Sequence, residues 1–250
     1  MHRLSREEYT RKPYVFLWGL LAFQAGFINA FGFLSCGRYV SHITGFGSQI
    51  GISLAHSHPL FALELLGFPM VFILGAFIAG LLTIARIERG EKPRFDLIIL
   101  ALPVMLLFFA LLGENGFFGL FGEHLVHTRD FFLLYSLSFL CGFQNACFTI
   151  MTKGHIRTTH LTGLSTDIGS ESARLLFGKL NLKERVLSQR AYFSRILIFV
   201  SFAAGSIVSV FICQSFTYFA LLLPLLTSLL VWFASRAISQ SLDKRYEEDL

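Results

Sequence analysis

Apolar residues fall along this chain in six long runs separated by short polar stretches. The runs extend from Tyr14 to Leu34, Leu60 to Ala85, Phe95 to Gly113, Phe131 to Met151, Tyr192 to Cys213 and Phe216 to Ser235. Each is long enough to cross a hydrocarbon core of about 30 Å at about 1.5 Å per residue. Two further segments are too short or too polar to be spans. Thr44 to Ser57 would reach only about 21 Å as a helix. Thr162 to Gly178 carries Asp167, Glu171 and Arg174, each costing about 2.5–3.5 kcal/mol if it faced lipid. Both segments are expected as short helices, either re-entrant or lying at the interface. Thr44 and Thr162 are read as their N-caps, beside Gly45 and Gly163, which allow close backbone approach.

The pattern repeats. Phe23, Gly26, Phe27, Asn29 and Ala30 recur as Phe139, Gly142, Phe143, Asn145 and Ala146. Ser41-His42-Ile43-Thr44-Gly45 recurs as Thr159-His160-Leu161-Thr162-Gly163, and Phe72 and Gly75 align with Phe202 and Gly205. A dozen or so extra residues, around Lys179 to Arg190, fall in the second half only. A duplication inside a membrane chain implies a two-fold architecture with polar groups at its centre.

Charge then orients the chain. All but Arg38 and Arg129 of the 21 basic residues lie on one side, if six spans cross with both termini inside. The two Gly-x-x-Asn spans then run in opposite directions. The expected fold is all-α: a polytopic helical membrane protein of two inverted three-span repeats plus the two short helices. Residues 1–12 form a cytoplasmic N-terminal segment, 13–113 and 131–236 the two membrane repeats, and 237–250 a cytoplasmic tail. Mean hydropathy of +0.62, with 29 Phe among 250 residues, agrees with burial in a lipid bilayer. The net charge of +5 is explained by topology. Its spread over four loops gives no support to nucleic-acid binding.

The runs Gly26-Phe27-Ile28-Asn29-Ala30 and Ser41-His42-Ile43-Thr44-Gly45, with their echoes, resemble the YoaK-like family of small bacterial polytopic membrane proteins, over about Pro13 to Ala234. That resemblance implies a multi-pass protein of the bacterial inner membrane and brings no established activity. The family's usual Thr-Gly-Asn signature is altered here: Phe46 and Leu164 stand where its Asn would.

The candidate chemistry sits on the repeat. Asn29 and Asn145 place amides in apolar spans, either tying the halves together by hydrogen bonds of about 0.6–2 kcal/mol or facing a central cavity. His42 and His160 precede the short helices, whose N-terminal N–H groups at Thr44-Gly45 and Thr162-Gly163 would favour a negative group. Arg38 and Arg157 could add to that attraction, and Asp167 could couple a proton or cation. The rival reading of Glu171 and Arg174 is a solvated helix pair. Two histidines are too few for zinc. The four cysteines have no metal spacing, and no nucleotide loop, Gly-x-Ser-x-Gly elbow or His-Glu-x-x-His run occurs. No enzyme, cofactor or metal is expected. The expected function is a small-solute transporter or channel, with an anionic or polar solute; the alternative is a non-transporting structural or regulatory protein of the same fold. Gly75, Gly80 and Gly205 leave a homo-oligomer open.

Overall fold

The computed structural model describes residues 4–123, 128–156 and 160–248. Thr159 and Arg157 lie outside them. The described residues are helical, with no strand: α1 (Arg6–Tyr9), α2 (Lys12–Cys36), α3 (Ile43–Ala55), α4 (Pro59–Leu82), α5 (Ile84–Glu88), α6 (Phe95–Glu114), α7 (Thr128–Met151), α8 (Leu161–Phe177), α9 (Leu182–Phe216) and α10 (Leu222–Glu248). A 3-10 turn, Thr217–Leu221, separates the last two.

Five stretches of the described residues are long and apolar enough to cross a membrane: Lys12–Cys36, Pro59–Glu88, Phe95–Glu114, Phe131–Met151 and Leu182–Ile238. The fifth is 57 residues long, but Thr217 breaks it with φ of 44°. The helix that holds the fifth apolar run begins at Leu182 rather than Tyr192. A capping box explains the start: Asn181 Oδ1 accepts from the Glu184 N–H, and Glu184 Oε2 from the Asn181 N–H. Most of the extra segment of the second half is therefore a helical extension of α9. Large apolar side chains such as Phe16, Leu60, Phe77, Val104, Phe211 and Phe233 cover the outside. A surface of that kind belongs against lipid. The chain is a helical membrane protein.

Within a bilayer, helices are held by close packing and hydrogen bonds rather than by exclusion of water. Glycines set the two tightest crossings here. A Cβ on Gly26 would collide with the Phe202 carbonyl oxygen, and one on Gly205 with that of Phe23. Likewise Gly142 meets the carbonyl of Phe72, and Gly75 that of Phe139. The second pair of contacts is the first pair repeated, each residue replaced by its counterpart in the other half. The first helix of each half packs on the second long helix of the other half, α2 with α9 and α7 with α4.

Directions follow from the contacts. Along α2, Gly19 faces Leu197 and Ser201, and further on Gly26 receives a hydrogen bond from Ser206 Oγ at 3.1 Å. Numbers rise together, so α2 and α9 run parallel. Along α7, Tyr135 Oη donates to the Glu64 carbonyl (2.6 Å) and Ser138 Oγ to that of Phe68 (3.2 Å) before Gly142 meets Phe72. α7 and α4 are parallel too. Between α2 and α7 the order reverses: the Leu4 N–H donates to Met151 O, Trp18 packs edge-on against Phe148, and Gln144 Nε2 donates to Leu21 O. Those two helices are antiparallel.

Candidate functional site

The Gly-x-x-Asn motif has a geometric reading. Gly26 admits the α9 backbone, and Asn29 lies one turn further along the same face. Asn29 Oδ1 then accepts hydrogen bonds from the Ser41 N–H (3.1 Å) and Ser41 Oγ (2.9 Å). This pins the segment after α2 back against the helix interior. Asn29 lies seven residues before the helix end at Cys36, so the chain returns about 10 Å along α2 before α3 starts. In the second half, Asn145 follows Gly142 in the same way. Its Oδ1 is buried and finds no hydrogen-bond partner among the described residues.

One cavity of about 600 Å³ gathers most of the expected residues. Asn29, Ser41, His42 and Thr44 line it from the first half, and Asn145, His160 and Thr162 from the second. Pro69, Phe72, Ile73 and Phe202 supply apolar wall. The lining includes no carboxylate and no Lys or Arg among the described residues. Phe72 and Phe202 give backbone to the glycine crossings as well as surface to the cavity. Crossing and cavity are thus one construction.

The expected capping is corrected. Thr44 and Thr162 are the second residues of their helices, and His42 and His160 occupy the cap positions. His160 Nδ1 accepts from the Gly163 N–H at 3.2 Å, the role a threonine oxygen was expected to fill. The Gly45 N–H donates instead to the His42 carbonyl, at 3.0 Å. Gly45 and Gly163 do not line the cavity; they lie under the histidine rings. A Cβ on Gly163 would come within 2.6 Å of His160 Nδ1, and one on Gly45 within 3.3 Å of His42 Nδ1. Gly163→Ala is therefore expected to displace the His160 ring and to destabilise α8 by about 1 kcal/mol, the usual worth of a cap. Thermal unfolding of purified protein should show a smaller effect for Gly45→Ala.

Two expected participants stand elsewhere. Asp167 lines a separate cavity of about 290 Å³ with His155 and Arg195. Arg38 lies over the Phe61 ring at 6.0 Å and is absent from the cavity lining. Glu171 is held by Arg195 on α9 (3.3 Å) as well as by Arg174 (3.6 Å), so it is not part of a solvated pair. Phe46 and Leu164 turn out to be packing residues. Each is buried on its short helix, and Phe46 stacks on Phe68 of α4 at 4.3 Å. The departure from the family signature therefore falls on the buried faces of the short helices.

Sequence reading missed the amides that tie the halves. Gln24 Nε2 donates to Gln144 Oε1 at 3.1 Å, and Gln24 Oε1 accepts from Ser228 Oγ at 2.9 Å. Both glutamines are fully buried. The available signal was a polar residue in an apolar run, as for Asn29. It was hidden because the repeat places Leu140 opposite Gln24 and Ile28 opposite Gln144. Pro69, a proline inside α4, was missed as well.

A family model described as "Protein of unknown function (DUF1275)" matches residues 17–234. No curated protein matches the chain, and no solved structure does.

Proposed function

The chain belongs to the DUF1275 family of proteins of unknown function, and we propose that it is a small-solute transporter or channel of the bacterial inner membrane. In this reading six spans (α2, α4, α6, α7, α9 and α10) form two inverted three-span repeats, with both termini cytoplasmic. The short helices α3 and α8 are re-entrant. The carrying observation is the cavity itself: matching Asn, His and Thr residues from both halves line one space of about 600 Å³, within the size range of small-molecule sites.

The chemistry of the lining favours a polar or anionic solute. Asn29 and Asn145 supply amide N–H donors at equivalent positions, the Asn29 Oδ1 being already engaged by Ser41. Two helix N-termini present positive dipole ends at His42-Thr44 and His160-Thr162, and no carboxylate among the described residues lines the cavity against them. Parallel packing of α2 with α9 and of α7 with α4 lets each half carry one helix of the other. Rocking at the two glycine crossings would alternate access to the cavity.

The test is solute flux in vesicles reconstituted with the full chain, with urea, glycerol, glycine and potassium formate as probes. Flux of at least one probe above empty vesicles is expected. It should fall at least tenfold on Asn29→Leu or Asn145→Leu while the protein keeps its size-exclusion profile. Flux indifferent to both substitutions would remove the cavity from the path. No flux of any probe would favour a structural or regulatory role.

A further inference from the structure

The basic extension of the second half lies outside the central cavity and builds a groove of its own. The space, about 440 Å³, lies between the N-terminal segment and the first turns of α9. Arg11, Lys183 and Arg190 line it, with Glu7 as the one carboxylate among the described residues. Leu182, Val186 and Leu187 give it apolar wall from the same helix. We propose that this groove binds the phosphate headgroup of an anionic phospholipid from the cytoplasmic leaflet.

Charge decides the class of ligand. Lys183 Nζ lies 3.4 Å from Glu7 Oε1, which uses the carboxylate within the groove. The guanidinium groups of Arg11 and Arg190 make no ion pair with any described residue, and both side chains are exposed. Two uncommitted guanidinium groups therefore flank one space, and planar Arg forks suit phosphate oxygens.

Apolar exposure decides the source of the phosphate. Leu182 is 81% exposed and Val186 38% exposed, both in the wall of the groove. Side chains of that size beside a basic groove would meet acyl chains as the guanidinium groups meet the headgroup. A soluble phosphate has no use for them.

Position decides the leaflet. The first half makes the corresponding turn, between α3 and α4, with His56–His58 alone. The extension thus exists only on the side to which the basic residues assign the cytoplasm, where the membrane surface is negative. The inference shares that orientation with the proposed function, but Arg11 and Arg190 do not line the central cavity. Loss of one leaves the other standing.

The experiment places the full chain in nanodiscs of phosphatidylcholine with phosphatidylglycerol, extracts it into mild detergent and weighs the retained lipid by native mass spectrometry. Wild type is expected to retain phosphatidylglycerol in preference to phosphatidylcholine. Arg11→Gln with Arg190→Gln should lower that retention roughly thirtyfold, because each basic residue near an anionic surface contributes about 1 kcal/mol and every 1.4 kcal/mol is about tenfold. Arg86→Gln with Arg89→Gln removes the same charge from another loop and should leave retention unchanged. Equal loss in the two double variants, or no preference in wild type, would overturn the site. Displacement of the lipid by inorganic phosphate alone would assign the groove to a soluble anion and overturn the lipid.

Discussion

Arg195→Leu is expected to destabilise the folded protein by about 3 kcal/mol, measured by denaturant or thermal unfolding in detergent micelles. Arg195 is 12% exposed and bridges two carboxylates of α8: its Nη1 lies 3.3 Å from Glu171 Oε2 and its Nε 3.7 Å from Asp167 Oδ2. Glu171 is itself only 10% exposed. Removing one member of a buried ion pair leaves a desolvated charge and costs about 3–5 kcal/mol. The low end applies because Arg174 still stands 3.6 Å from Glu171. The repeat supplies the control. Leu65 and Ser53 occupy the equivalent positions of the first half, and both are buried there. Arg195→Leu combined with Glu171→Ser copies that solution into the second half and should restore most of the lost stability. Equal losses in the single and double variants would show that the charges are not coupled.

Alanine at the four crossing glycines should have opposite consequences from alanine at the open ones. Helix propensity alone favours Ala over Gly by about 0.8–1 kcal/mol. At Gly47, Gly51 and Gly169 a Cβ meets nothing within 4 Å, so Gly→Ala there should stabilise by up to that amount. At Gly26, Gly75, Gly142 and Gly205 the Cβ runs into a backbone carbonyl that cannot rotate away. Overpacking costs about 1–3 kcal/mol where side chains can shift, and backbone must shift here. Each of these substitutions is expected to lose about 3 kcal/mol, and leucine at Gly26 or Gly142 to abolish folding. Unfolding midpoints for the seven alanine variants should therefore split into two groups. A Gly26→Ala variant as stable as wild type would mean that α2 and α9 do not meet at this crossing.

Much of this arrangement was legible in the sequence because duplication marks it twice. The repeat offsets single out Gly26, Asn29, His42 and Thr44 with their counterparts, and the cavity gathers the Asn, His and Thr residues of both halves. What the offsets could not show is which helix each glycine meets. Gly26 signals a small side chain, but α9 as its neighbour depends on three-dimensional pairing across the halves. The caps were misread because threonine is a common N-cap, whereas here a histidine ring folds over Gly163 and accepts its N–H. Gln24 and Gln144 escaped because a search for matched positions passes over unmatched ones. Arg195 escaped for a different reason. It sits at the start of an apolar run, where a basic residue reads as a topology signal, and its two partners lie on another helix.

The proposed inversion of the two halves is tested most directly at the far ends of the short helices. Ser41 and Thr162 line the same cavity, so reagent entering from either side could reach both. His56 and Lys179 lie beyond the C-termini of α3 and α8, are exposed, and do not line that cavity. Single cysteines introduced as His56→Cys and Lys179→Cys would be probed with a membrane-impermeant thiol reagent in intact cells. The four native cysteines are buried and should contribute little background. Labelling of the His56→Cys protein in intact cells, with labelling of the Lys179→Cys protein only after permeabilisation, is the expected result. Labelling of both from the same side would contradict the inverted arrangement, and with it alternating access through a shared central cavity.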